Sequence, residues 1–208
     1  MSQWPGLAFI VPFCRNEEIY DEAAFHRLAE RDRSEMAQDL NRFRLELVHR
    51  YTHESDRILD VGIGAGTFMK MHGNCLGFDI NPYAVKFLKR RGLWFDPYKD
   101  DFDAANIAAV TFFDVLEHIE NPARILERLT DQAVIVSIPI FRDLKHLLGS
   151  KHFKPGEHRW HFTRRQFECY ARGQGFEIVE ERDDETRLGR EDIKTFVLKR
   201  KKHGSRPL

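Results

Sequence analysis

Apolar residues gather in short runs along the chain, and the runs follow two spacings. Residues 58–61, 75–79, 93–95, 108–113 and 133–138 are nearly continuous apolar stretches. That is the pattern of short strands buried on both faces, as in a parallel sheet. Residues 176–180 and 193–199 instead alternate, which predicts two half-buried strands, with the acidic stretch 181–192 as the loop of a hairpin. Pro139 is expected to stop the strand that begins at Ala133, because proline has no N–H for a sheet ladder.

Helical spacing lies between these runs. Met36, Leu40, Phe43, Leu47 and Tyr51 recur every three or four residues, which predicts a helix over 24–51 with one apolar face. This helix is expected to cover the edge of the sheet; the alternative is that Phe25, or Tyr20 just before it, closes over a bound molecule as mobile lids do. A short helix follows Gly66 and ends at Gly73-Asn74. Asn81-Pro82 gives the next helix a capping residue and a proline at its first position, with Val85 and Leu88 inward and Gly92 at its end. Asn121-Pro122 starts another, with Ile125, Leu126 and Leu129 inward. Thr163 and Gln166 have capping-box spacing for a helix that ends near Gly173–Gly175.

Strands alternating with helices predict an α/β fold: a doubly wound, mostly parallel sheet with helices on both faces. Ligands of such sheets bind beyond the carboxyl ends of the strands. Gly62, Gly64 and Gly66, Asp79, Asp96, Asp114 and Pro139 all fall at those ends. The glycines follow the first strand at every second position, so a ligand can approach the main chain closely there. Asp79 ends the next strand, where a carboxylate can accept both hydroxyls of a ribose lying across the turn.

At 208 residues the chain is long enough for one sizeable core. Lys+Arg and Asp+Glu balance at 33 each, which gives no general drive toward nucleic acid or an anionic membrane. No apolar run approaches the length that spans a bilayer. With no secretory signal pattern, and with Cys14, Cys75 and Cys169 far apart, a cytoplasmic protein with reduced thiols is expected.

LDVGIGAG, GFDINP, FFDVLEHIENP and VSIPIF, in that order, resemble the class I S-adenosylmethionine-dependent methyltransferases. The stretch EHRWHFTRRQFECYARGQGFEIVE is similar to the closing section of a small bacterial-type subgroup. The resemblance covers about residues 50–200 and implies a seven-stranded Rossmann-like domain over 51–200. An N-terminal arm and covering helix (1–50) precede it and a basic tail (201–208) follows. Relatives in the subgroup often carry a zinc ribbon before this domain, but only Cys14 is present here, so no zinc site carries over.

The resemblance implies S-adenosylmethionine as cofactor, S-adenosylhomocysteine as product, and no metal. Asp60, Gly62, Gly64 and Gly66 would wrap the methionine part, Asp79 the ribose, and Asp96, with Trp94 or Phe95, the adenine, with Ile80 also in the cofactor site. Asp114 and Val115 would lie beside the reactive methyl group. His118, His158 or His161 would remove a proton from a hydroxyl or amine acceptor, since imidazole titrates near neutrality. The alternative for Glu117 and His118 is that they only tie their loop to the helix behind it. His152, His158 and His161 match no zinc spacing closely.

The expected acceptor is a small molecule or a sugar or lipid intermediate. A nucleic acid is second, supported by the basic stretch 142–165 and the tail 199–202, although a solvated face explains such a run more commonly. A NAD-dependent oxidoreductase would use the same architecture, but Thr67 stands where its last glycine is wanted. A non-catalytic, cofactor-binding partner subunit is the remaining reading.

Overall fold

The computed structural model describes residues 22–201. The expected arm around 7–13, Cys14, Tyr20 and the tail beyond 201 lie outside the described residues.

The described residues form the expected α/β sandwich. Strands β1 (Arg57–Val61), β2 (Cys75–Phe78), β3 (Ile107–Phe113), β4 (Ala133–Phe141), β5 (Phe162–Thr163), β6 (Phe176–Arg182) and β7 (Ile193–Arg200) build a seven-stranded sheet. Its order is β2-β1-β3-β4-β7-β6, with β5 paired to the end of β4. β2, β1, β3 and β4 are mutually parallel, whereas β7 runs antiparallel to both β4 and β6. The carboxyl ends of β1, β2, β3 and β4 therefore share one edge.

Two apolar layers flank the sheet. On one face Leu47, Val48, Phe68, Met69, Ala84 and Leu88 pack from helices α2 (Glu35–His49), α3 (Thr67–His72) and α4 (Pro82–Arg90). On the other, Ile125, Leu126, Leu129, Phe167 and Ala171 pack from α5 (Ala123–Leu126), the turn after it and α7 (Arg164–Gly173). The helix starts follow the sequence signals. Asn81 accepts from the Tyr83 N–H, and Thr163 and Gln166 close a reciprocal capping box.

The structure corrects several elements. The helix expected over 24–51 is two helices, α1 (Glu22–Arg31) and α2, because Ser34 caps the second one. The buried stripe of α2 is Ala37, Leu40, Asn41, Arg44, Leu47 and Val48, while Met36 is exposed. The strand expected at 93–95 shrinks to one parallel bridge, Gly77 to Trp94. The Asp96 and Asp100 carboxylates turn the chain immediately afterwards, accepting from the Tyr98 and Asp96 N–H groups.

β4 does not stop at Pro139. The Ile140 N–H points to β7, donating to Asp192, so the missing donor of Pro139 faces the opposite side. There the pairing with β3 has already ended at Ser137, and no ladder bond is lost. β4 thus runs on to β5, which was not expected. Two further short helices, α6 (Leu144–Gly149) and α8 (Asp184–Arg187), lie in stretches read as loop.

Candidate active site

The corner after β1 is built from backbone. Gly62, Gly64 and Gly66 all have positive φ, at 82°, 55° and 75°. The Gly62 N–H donates to Phe78 at 2.7 Å, stitching the turn to the end of β2. A side chain on Gly62 would meet Val115 Cγ2 at 2.2 Å, so the loop after β3 packs directly on this glycine. Among the described residues a Cβ at Gly64 would meet only Leu28 Cδ1, at 3.9 Å, and no other side chain covers this backbone.

Asp79 joins this corner. Its Oδ2 accepts from the Gly64 N–H at 3.2 Å and its Oδ1 from the Asn81 N–H at 2.8 Å. Burial raises its pKa, against the opposing pull of these donors. Ile80, beside it, is 53% exposed. Asp60 is buried at the end of β1, and the Thr111 hydroxyl donates to it at 2.6 Å. Burial pushes the Asp60 carboxyl up to about 7, with Thr111 and Arg44 pulling the other way and Asp79 reinforcing the rise. Asp96 and Trp94 are half-buried, and Trp94 packs on Phe78, next to Asp79.

Asp114, expected beside the reactive methyl group, is held by two arginines. Arg190 donates to both of its oxygens at 2.8 Å, and Arg44 to Oδ2 at 3.0 Å. Burial disfavours its ionised form, but Arg190 and Arg44 outweigh that and hold it well below the usual carboxylate range. Its backbone takes φ of 61°, a left-handed conformation that aspartate tolerates better than most residues. Glu185, fully buried, completes the network by bonding both arginines and the Ser137 hydroxyl.

Sequence reasoning missed Arg44, Arg190 and Glu185. One signal was present: Arg44 falls on the buried stripe of α2, where a charged side chain needs a partner.

The histidines cluster. His118 and His158 rings meet edge to face at 4.6 Å, and His161 lies 5.9 Å from His158, also against Phe141 and Phe153. His118 Nδ1 is 2.9 Å from the Glu157 carbonyl, so Nδ1–H donates and Nε2 carries the lone pair. Burial lowers the pKa of His118, and burial with the neighbouring His118 and Lys154 brings His158 down to about 3. Burial, reinforced by Asp114, raises Glu117.

An open cleft of about 780 Å³ adjoins this turn, lined by Tyr98, Ile119, Arg124, Arg159 and Trp160 among others. Much of the basic stretch 142–165 is paired within the chain. Lys151 meets Glu191, Lys154 meets Glu157, Arg159 meets Glu120, and Arg164 meets Glu168 and Glu181. No described helix is long and apolar enough to cross a membrane.

A mostly parallel sheet with a glycine corner, an acid ending the adjacent strand and an open edge between them is an arrangement suited to a nucleotide-like cofactor. A methyltransferase-domain family model matches residues 24–181, and the chain belongs to that family of S-adenosylmethionine-dependent enzymes. No individual curated protein matches it.

Solved structures share the fold at low identity. Magnesium protoporphyrin IX methyltransferase from Synechocystis PCC 6803, with bound SAH, is 14% identical, with TM-score 0.63 over 88% of this chain and 97% of that one. The Burkholderia thailandensis 1,6-didemethyltoxoflavin-N1-methyltransferase, with its acceptor and S-adenosylhomocysteine bound, is 15% identical, with TM-score 0.57 over 94% of each chain. A putative methyltransferase from Haloferax volcanii, in complex with the Trm112 activator, is 14% identical, with TM-score 0.61 over 88% and 99%.

Proposed function

We propose that this methyltransferase modifies a small-molecule acceptor, with its cofactor lying over the backbone of the glycine corner. One observation carries the cofactor placement: the bare backbone at Gly64 lies beside the Asp79 carboxylate, whose Oδ2 is 3.2 Å from the Gly64 nitrogen. The cofactor supplies an electrophilic methyl group on a sulfonium. Asp79 takes the ribose hydroxyls, and Ile80 and Asp96 flank the adenine. Gly62, Gly64 and Asp60 receive the methionine end, where an ionised Asp60 would favour its cationic groups. Asp114 and Val115 form the wall nearest the methyl.

The protein then has mainly to hold the acceptor in line at near-attack distance, which is worth up to about 7–11 kcal/mol. For a hydroxyl or amine acceptor, His118 is the proposed proton acceptor in metal-free protein, because its tautomer is fixed with Nε2 free of a proton.

The cleft beside this turn supports a small acceptor, since its volume falls within the usual range for small-molecule sites. Two neighbours are named for methylating small ring compounds, consistent with that choice. The internal pairing of the basic stretch weighs against a nucleic-acid acceptor.

The test is release of S-adenosylhomocysteine from purified enzyme offered a panel of small hydroxyl-, amine- and carbon-acid acceptors, with RNA and DNA in parallel. Turnover with a small acceptor is expected. Turnover confined to nucleic acid, or cofactor binding with no turnover across the panel, would overturn the proposal.

A further inference from the structure

The turn after β3 and the segment before β5 bring Glu117, His118 and His158 together. One ligand-type atom from each lies within 4.8 Å of the other two. The two segments are tied by backbone. Arg159 and Trp160 N–H groups both donate to the Glu117 carbonyl, at 2.8 and 3.1 Å, and Trp160 Nε1 donates to Ile119 at 2.8 Å. The cluster is therefore rigidly placed.

It is also unfinished. Glu117 and His158 are 2% and 5% exposed, yet Glu117 Oε2 and His158 Nδ1 have no hydrogen-bond partner among the described residues. A buried polar atom left unpaired costs about 1–3 kcal/mol. Two such atoms beside the His118 ring mark a place for a ligand. A carboxylate and two imidazoles offer lone pairs, so the ligand must accept them from all three sides.

We propose that Glu117, His118 and His158 bind a divalent cation of the zinc type. Two imidazoles and one carboxylate make a three-ligand set that leaves a coordination position open. Nitrogen ligands favour zinc-like ions over magnesium or calcium. Ligand atoms about 2.0–2.2 Å from a shared ion lie about 3–4 Å apart, so small side-chain rotations bring the cluster to that spacing.

An outer shell is in place. The Glu157 carbonyl fixes His118 so that Nε2 is the metal-facing nitrogen, and His161 backs the His158 ring. Of the nearby cations, Lys154 is paired with Glu157 at 2.9 Å and Arg190 with Asp114 and Glu185. Asp114 is satisfied by Arg44 and Arg190 and is not needed as a ligand. With an ion bound, His118 would serve as a ligand rather than as a base, and the ion would supply Lewis acidity at this position.

This site goes beyond the acceptor reading and is tested without cofactor or acceptor. Tag-free protein is stripped with a chelator and titrated with Co²⁺, followed by visible d–d absorption, and then with Zn²⁺. The expected result is one saturable equivalent of Co²⁺ per chain, displaced by Zn²⁺. Glu117→Gln and His158→Ala, checked for folding by circular dichroism, should each weaken binding by about tenfold or more. His146→Ala, whose ring pairs with Asp192 outside the cluster, should leave it unchanged.

X-ray absorption of the wild-type zinc complex needs no variant and should show two imidazoles. No saturable binding, unchanged binding in folded His158→Ala, or fewer than two imidazoles would overturn the proposal.

Discussion

Arg44 and Glu185 form a two-pronged ion pair in the interior: Nε donates to Oε1 at 2.8 Å and Nη2 to Oε2 at 3.0 Å. The arginine comes from α2, the helix before β1, and the glutamate from α8, the short helix between the last two strands. With Arg190 and Asp114 they make a balanced quartet of two cations and two anions. Burying such a set gains little over an apolar core, but removing one member leaves a charge uncompensated. Arg44→Met should therefore destabilise by about 3 kcal/mol, since Arg190 still reaches Glu185. Arg44→Met combined with Glu185→Gln restores the charge balance and should recover part of that loss. Urea denaturation of the two single variants and the double variant measures it. Additive losses would mean the quartet is not one unit.

Gly64 and Gly62 separate fold from ligand. Gly62→Ala drives a methyl into Val115 at a positive φ and should unfold or severely destabilise the protein. Gly64→Ala meets only Leu28 among the described residues, so its cost there is the left-handed backbone, about 1–2 kcal/mol. The new methyl would nonetheless stand where the cofactor is proposed to lie. Thermal melting should show a modest loss for Gly64→Ala, and calorimetry with S-adenosylhomocysteine an affinity loss of at least about tenfold. Normal affinity in folded Gly64→Ala would place the ligand elsewhere.

The corner was legible because its signals are local. Glycine at 62, 64 and 66, and Asn81-Pro82, state backbone requirements that no distant packing alters. The mostly parallel arrangement of the sheet, though not its strand order, followed from the alternation of strands and helices. What was not legible depends on pairing across the fold. Trp94 makes a single bridge because Asp96 and Asp100 turn the chain at once, and Pro139 is tolerated because β3 has ended beside it. Arg190 and Glu185 come from a stretch that reads as a solvated acidic loop. Only the fold shows that Glu185 is buried against Ser137 and Arg44.

Asp79 is the sharpest single test of the cofactor placement. It accepts backbone N–H bonds at Gly64 and Asn81, so Asp79→Asn keeps an acceptor oxygen and should fold. It loses the charge that strengthens bonds from ribose hydroxyls. Charge-assisted bonds contribute about 1.5–3 kcal/mol each, so S-adenosylhomocysteine affinity should fall by about tenfold to a hundredfold. Calorimetry with the folded variant decides it. An unchanged affinity would remove Asp79 from the cofactor site.

Asp60 makes a prediction about pH whose sign is fixed. Its carboxyl ionises at about 7 in the folded chain, because burial outweighs the Thr111 hydrogen bond. In the unfolded chain it ionises near the ordinary value of about 3.9. Between those values the unfolded state has released the proton and the folded state still holds it. The contribution of Asp60 to stability therefore falls as pH rises from about 4 to about 7, and is constant above. The span corresponds to a few kcal/mol, at about 1.4 kcal/mol per unit. Asp60→Asn cannot titrate, and comparing it with the wild type cancels every other group. Its stability relative to wild type should climb between pH 4.5 and 7.5 in denaturant unfolding. A difference independent of pH would show that Asp60 is already ionised in the fold. A cationic cofactor seated beside this group should also expel its proton, so binding near pH 6.5 should release protons in wild type and not in Asp60→Asn. Calorimetry in two buffers of different ionisation heat reads that release directly.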